Sequence, residues 1–297
     1  MYLNYYGLKE VPFGLTPDPK FIFKTESYQE ALSTIQYGIE QSKGIIVVVG
    51  EVGTGKTTTL RSAIQQFSQR VQSAYIFNPS LTAAEFFEQI CNGFGLGLPR
   101  SASKPKRLDA LGRLLARRHA EGLRTVLIID EAHGLPKGLL EEVRLLANFE
   151  TSNEKLLQVI LCGQPELRVL LNRPDLRQLK QRVALRCALE PLNPYQVNEY
   201  ICFRLKTAGA ARANLFDVEA VTLIGRISQG VPRVVNNICD NALLFGFSGN
   251  CQTVGADLVM EVIESLDLGP PEHVLESVPR AIASSDREAS AHYRSRY

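Results

Sequence analysis

The chain predicts an α/β fold: a three-layer parallel sheet followed by an all-helical lid domain. Three observations carry this. Up to residue 189, short runs that are apolar at nearly every position alternate with longer segments of helical period, the pattern of parallel strands covered by helices on both faces. Beyond residue 190, four helical segments follow one another with no strand between them. The first apolar run leads directly into Gly50-Glu51-Val52-Gly53-Thr54-Gly55-Lys56-Thr57, a glycine turn of the kind that joins a strand to a helix.

The elements follow in order. Residues 6–23 carry Pro12, Pro17 and Pro19 among aromatics and predict an ordered arm rather than a helix. Ala31, Leu32, Ile35 and Ile39 are spaced for a helix over 28–41 that ends near Gly44. Strands are expected at 45–49, 73–78, 125–130, 156–162 and 183–189, and helices at 58–67, 83–94, 108–119, 139–149 and 175–181. A boundary falls between Pro191 and Pro194. The helices 194–208, 217–228, 232–247 and 256–266 come after it, with Pro194 suited to a first turn and Asp217 to an N-cap. The expected domains are thus 1–190, with the arm included, and 191–267. Residues 268–297, rich in Gly, Pro, Ser, Glu and Arg, form an expected disordered tail.

Composition bounds the function. The chain has 297 residues, 45% hydrophobic and 22% charged, with a formal net charge of +2. That suits a globular core and does not suit a dedicated nucleic-acid binder. Six cysteines include no C-x-x-C pair, which predicts reduced, buried thiols rather than a disulfide frame or a zinc site. The N-terminus has no basic start followed by an apolar stretch, and the longest apolar run, 45–49, is far below the ~20 residues that cross a bilayer. The expectation is a cytoplasmic protein with no membrane span of its own, peripheral to the inner membrane through partners if at all.

The glycine turn has the spacing of a P-loop. Its backbone N–H groups and the start of the next helix suit phosphate oxygens, so Gly50, Glu51, Val52, Gly53, Thr54, Gly55, Lys56, Thr57 and Thr58 are the candidate ATP-binding residues. Lys56 would neutralise the β- and γ-phosphates, and Thr57 would ligate Mg²⁺. Asp130 and Glu131 end an apolar strand, where ligands bind in open α/β sheets. Asp130 is the second Mg²⁺ candidate and Glu131 the candidate base for an attacking water. A carboxylate pair at this place favours a nucleotide hydrolase over a small-molecule kinase. Gln164, after the next apolar strand, suits an amide that orients the water, more than it suits a bare polar loop residue before Pro165. Arg182, where a helix runs into the last strand, and Arg233, in the first turn of a lid helix, each suit a γ-phosphate contact or an ordinary surface ion pair.

These residues resemble the AAA+ ATPases, and within them the ExeA/GspA-type family, the general secretion pathway protein A ATPases. The likeness runs over residues 1–267. It rests on Tyr6-Gly7-Leu8, Pro12-Phe13, Leu15-Thr16-Pro17-Asp18-Pro19 and Phe21 in the arm, on Tyr28 with Glu30-Ala31-Leu32, on the P-loop, on Asp130-Glu131-Ala132-His133, on Gly163-Gln164-Pro165-Glu166-Leu167 and on residues 230–236. The resemblance implies Gln164 as sensor 1, Arg233 as sensor 2 and Arg182 as an arginine finger for a neighbouring subunit, with Arg177 and Arg186 as alternatives. It also implies that residues 12–16 pack near the adenine. Partners so implied are further copies of the chain and the proteins of a secretion, type IV pilus or exopolysaccharide-export machine. Full-length ExeA-type proteins continue into a transmembrane helix and a peptidoglycan-binding domain, which this chain lacks, so the resemblance points to the shorter ATPases of pilus and export systems.

Two basic clusters remain, Arg168–Arg186 and Arg100–Arg124 in broad extent. They suit a DNA-facing stripe, as in an ATP-controlled regulator of transposition or replication, or a solvated helix face plus a subunit interface. The near-neutral net charge favours the second. A nucleotide-gated scaffold without turnover is a third reading, against which Glu131 argues.

Overall fold

The computed structural model describes residues 2–16, 18–67, 69–212 and 214–269. Five parallel strands, β1 (Ile45–Gly50), β2 (Val71–Ile76), β3 (Arg124–Ile129), β4 (Gln158–Gly163) and β5 (Val183–Leu189), lie in the order β2-β3-β4-β1-β5. The helices in chain order are α1 (Tyr2–Tyr5), α2 (Glu26–Glu40), α3 (Lys56–Gln65), α4 (Ala83–Gly93), α5 (Lys104–Ala120), α6 (Lys137–Leu146), α7 (Glu166–Leu171) and α8 (Arg177–Lys180). After the sheet come α9 (Pro194–Thr207), α10 (Val218–Ser228), α11 (Pro232–Ser248) and α12 (Ala256–Ser265).

Alternation along β1 shows why its run is apolar throughout. Ile46 and Val48 pack with Ile35, Ile39 and Leu60 of α2 and α3 on one face. Ile45, Val47 and Val49 pack on the other, in the cluster that holds Phe86, Leu111 and Val143 of α4, α5 and α6. Successive side chains point to opposite faces, so a strand covered on both sides keeps few polar positions. Most expected elements are present within a few residues. α2 starts at Glu26 because Thr25 caps it, accepting from the Tyr28 amide. α5 starts four residues earlier than its apolar period suggests, with Pro105 in its first turn, where a proline loses no bond. The segment 175–181 is a 3₁₀ turn, Pro174–Leu176, running into the single turn of α8. The helices α1 and α7 are additions to the expected set.

The arm packs with the helices. The sequence reading grouped it with the α/β residues up to 190, but Tyr6, Leu8, Phe13 and Phe21 are buried in the cluster formed by α9 to α12. Phe13 meets Phe216 edge to face at 6.1 Å, the Tyr6 hydroxyl donates to the Cys251 carbonyl (2.9 Å), and the Lys9 amide donates to the Ala208 carbonyl (2.8 Å). Proline breaks up the arm, where Pro19 opens only the 3₁₀ turn Pro19–Phe21, and its large apolar side chains need a partner surface. Of the tail, Leu268 and Gly269 are described. The Leu268 amide donates to the Ile263 carbonyl (3.0 Å) and its side chain packs on the helical cluster; residues 270–297, on which the disorder expectation falls, lie outside the described residues.

None of the six cysteines, all among the described residues, is in a disulfide. Cys91, Cys162, Cys187 and Cys239 are buried as expected, whereas Cys202 and Cys251 are half-buried. Burial, with a smaller contribution from Glu30, pushes the Cys187 thiol up to about 12. No helix among the described residues is long and apolar enough to cross a membrane.

The chain leaves β5 and enters the helical core at Leu192. The Leu192 amide donates to the Gly230 carbonyl (2.8 Å). Gly230 has φ +72°, and a Cβ there would stand 1.8 Å from the Leu192 oxygen. Both the left-handed backbone and the close approach require glycine. Gly230→Ala is therefore expected to destabilise the fold by on the order of 3 kcal/mol, read as a fall in the denaturation midpoint. A change under about 0.5 kcal/mol, the range of a neutral surface substitution, would contradict this placement.

Candidate functional site

The strand β1 ends at Gly50 and α3 begins at Lys56, so the loop between them sits at the C-terminal edge of the sheet. Gly53 and Gly55 have φ +85° and +95°, which L side chains rarely adopt. Space matters as well at two glycines. A Cβ on Gly50 would lie 2.7 Å from the Leu189 oxygen, and one on Gly53 would lie 2.6 Å from Cβ of Arg233. The loop is thus a cradle that side chains would fill. Lys56 is buried within it, its Nζ donating to the Gly50 (2.8 Å) and Glu51 (3.0 Å) carbonyls. The ammonium is thereby held at the loop's centre, and the N-terminus of α3 adds its partial positive charge. A phosphate group fits this donor set.

Across from Lys56, the Thr57 hydroxyl donates to Asp130 Oδ2 (2.9 Å), and Asp130 Oδ1 accepts from the Glu131 amide (2.9 Å). Among the described residues there is no group of three or more His, Cys, Asp or Glu arranged for a metal. A hydroxyl and one carboxylate are nonetheless the hard-oxygen set that Mg²⁺ uses when phosphate oxygens and water complete its shell, so the residues fit the ion.

Strand β4 lies between β1 and β3, which sets Gln164 between the P-loop and Asp130-Glu131. Glu131 has φ +51°, a left-handed conformation that costs a non-glycine residue on the order of 1 kcal/mol. Gln164 Nε2 is 3.4 Å from Glu131 Oε2. His133, in the 3₁₀ turn Ala132–Gly134, joins them, with Nδ1 3.4 Å from Glu131 Oε2 and Nε2 3.3 Å from Gln164 Nε2. The sequence places this histidine in Asp130-Glu131-Ala132-His133 and by itself assigns it no role. Its signal was its place on the turn straight after the acidic pair.

A cavity of about 470 Å³ opens beside the loop. Lys56, Thr57, Thr58 and Glu131 line one side, Leu15 and Thr16 of the arm and Arg233 of α11 the other. Arg233 approaches through its backbone too, its amide donating to the Gly53 carbonyl (3.3 Å). The arm is fastened by Arg204 of α9, which the sequence reading passed over. Its buried guanidinium donates to the carbonyls of Pro12 (2.5 Å) and Gly14 (3.3 Å) and to the Tyr200 hydroxyl (2.9 Å), which donates to Asn236 Oδ1 (2.9 Å). The guanidinium carbon also lies 4.6 Å from the Phe21 ring centre, a cation–π contact.

The remaining arginines lie apart from this cavity. Arg182 precedes β5, whose Val183 pairs with Ile45 at the start of β1; a six-residue strand therefore separates it from the P-loop end, roughly 17 Å at the usual rise. Its Nη1 is 3.5 Å from the Ala147 carbonyl. Arg177 and Arg186 are exposed, the latter beside a second cavity of about 510 Å³ along β5. Much of the basic cluster around α5 is already partnered. Arg107 is buried on the Arg100 and Ala102 carbonyls, Arg118 holds the Arg124 carbonyl, and Lys104 and Arg124 pair with Glu142 and Glu154.

Residues 39–171 match the family described as AAA domain. General secretion pathway protein A of Aeromonas hydrophila is 41% identical over 265 residues, which cover 89% of this chain and 48% of that protein. The ATP-dependent target DNA activator B of Escherichia phage Mu is 29% identical over 144 residues, 48% of this chain and 42% of that one. The chain thus spans about half the length of the curated relatives it matches. Among solved structures, Cdc6p from Pyrobaculum aerophilum superposes with a TM-score of 0.68 at 19% identity, over 90% of this chain and 74% of that one, a likeness of fold.

Arg204→Met would leave the Pro12 and Gly14 carbonyls without a donor while keeping bulk. Its expected cost is on the order of 3 kcal/mol in chemical denaturation, together with faster proteolysis in the arm. An unchanged arm cleavage rate would contradict the fastening role.

Proposed function

We propose, for a chain with an AAA domain in a P-loop AAA+ fold, that it binds ATP with Mg²⁺ between the sheet edge and the arm–lid side and hydrolyses it. The observation that carries this reading is that Lys56, Thr57 and Glu131 line one cavity, with Asp130 accepting from the Thr57 hydroxyl and the Gln164 amide donating to Glu131 behind them. Residues 50–58 cradle the phosphates and Lys56 neutralises their charge. Thr57 and Asp130 would hold Mg²⁺, which when bound draws charge from the phosphate oxygens. Glu131 takes a proton from the attacking water, and the Gln164 amide orients that water. Arg233, carried on the lid, meets charge that develops on the γ-phosphate, so lid position and hydrolysis are linked. Residues 14–16 border the base.

Arg182 completes the site of a neighbouring copy in this reading. It stands at the far end of its own sheet and has no route to its own P-loop, so its use on a phosphate requires a homo-oligomer assembled with ATP. Likeness to general secretion pathway protein A supports a role in driving or regulating a secretion, pilus or exopolysaccharide-export machine, at the cytoplasmic side of the envelope and through partners. The phage Mu likeness favours a second reading, ATP-controlled DNA binding. Binding to duplex DNA with a steep salt slope would support it; no binding in ATP at low salt would remove it.

Glu131→Gln is expected to bind ATP like the wild type and to lose about 10²–10⁴-fold in turnover, the weight of a general base. Lys56→Ala is expected to lose binding itself, measured by titration calorimetry; turnover by Glu131→Gln equal to wild type would sink the assignment. For Arg182→Ala the expected result is intact binding with at least ~10³-fold slower hydrolysis in the assembled state. Unchanged turnover of the assembled variant would assign the finger elsewhere.

A further inference from the structure

His133 touches both residues given roles in the attack on water, and the geometry around it is specific. Its imidazole is largely enclosed, with 23% of the side chain exposed, whereas Glu131 is 44% exposed. The ring rests against Gly163 of β4, where a Cβ would stand 3.2 Å from the His133 amide nitrogen and 3.3 Å from Nδ1. A glycine at the end of the strand therefore lets the turn close on it. The Glu131 backbone is held independently: its amide donates to Asp130 Oδ1 (2.9 Å), and the Gly134 amide donates to its carbonyl (2.9 Å). Two nitrogens stand 3.4 Å from Oε2 of the carboxylate: Nε2 of Gln164, which donates to it, and Nδ1 of His133, which faces it.

We propose that His133 is a positioning residue that locks Glu131 and Gln164 into one hydrogen-bonded triad. The inference rests on the ATPase reading of this site for its catalytic meaning, though not for its geometry.

Proton placement follows from charge. Glu131 Oε2 presents only lone pairs, so the nitrogen facing it carries a hydrogen, which puts the imidazole proton on Nδ1. Nε2 is then an acceptor, and the Gln164 Nε2 amide group at 3.3 Å donates to it and to Glu131. The Gln164 carbonyl oxygen is left free for a water. The opposite tautomer alone keeps the bond from the Gln164 backbone amide to Nδ1 (3.4 Å), which the Nδ1–H form gives up. It sets the Nδ1 lone pair against the carboxylate, and its Nε2 proton turns the Gln164 amide so that Oε1 faces Oε2. Charge-assisted bonds outweigh neutral ones about twofold, so the Nδ1–H form prevails. All these contacts are long, of the kind that tighten when a substrate is seated.

Two measurements on the full chain test this. The first needs no turnover: long-range ¹H–¹⁵N correlation of histidine-labelled protein at alkaline pH, with His133 assigned by its loss in His133→Asn. The expected signal is the Nδ1–H tautomer, reverting toward Nε2–H in Glu131→Ala; an Nε2–H signal in the wild type would overturn the proposal. The second is kinetic. His133→Ala is expected to lower kcat roughly tenfold, the weight of one charge-assisted hydrogen bond, with KM within about twofold. His133→Asn, which keeps a donor at the Nδ1 position, should recover part of that loss, and adding Gln164→Ala to His133→Ala should cost less than the product of the two. Multiplying losses, or a KM effect alone, would make His133 merely structural. A wild-type chain that releases no phosphate would refute the ATPase reading, and the tautomer measurement would still decide the triad.

Discussion

The close approach of Gly53 to the first turn of α11 is the contact on which the rest depends. Through it the phosphate loop of the sheet and the beginning of the helical unit become one surface, with the Arg233 amide donating to the Gly53 carbonyl and no room for a Cβ between them. Gly230, a few residues earlier, packs as closely against Leu192, within the helical core that the chain enters after β5. Gly53 thus brings the edge of the sheet against the helical core. The cavity, the position of Arg233 and the passage of the arm over the loop are consequences of that junction.

The arm gives the junction its second attachment. Proline breaks up the arm, so its backbone carbonyls need donors, and Arg204 provides them from within the helical core. Burying a guanidinium is costly unless its hydrogens are used. Here they meet two carbonyls and a hydroxyl, with aromatic rings against the planar face. The arm and the helices therefore form one unit, and the sheet with its loop another. In the proposed reading a nucleotide at the cavity touches both, and binding energy at a phosphate then becomes a force between two bodies.

The sheet and the P-loop were legible in the sequence for a physical reason. Parallel strands covered on both faces leave few polar positions, so runs such as residues 45–49 stand out, and a P-loop demands glycines at fixed spacing. The arm's packing partner was not legible, because carbonyl-to-arginine bonds leave no periodic mark and Arg204 sits in a helix whose pattern is unremarkable. The helix α7 was missed since it is a bare six residues. His133 was visible as a letter and not as a contact, for its partner Gln164 comes from the neighbouring strand and only the sheet order brings the two together. The basic stretch around α5 shows the reverse: residues that read as a free stripe are partly consumed by carbonyls and carboxylates of their own fold.

Amide hydrogen exchange of the full chain, followed with and without ATP and Mg²⁺, tests most directly the claim that the site is shared between the two units. The account predicts that protection rises together in residues 50–58, in the arm at 12–16 and at 230–236. Protection confined to the P-loop, with the arm and the start of α11 exchanging as before, would contradict it.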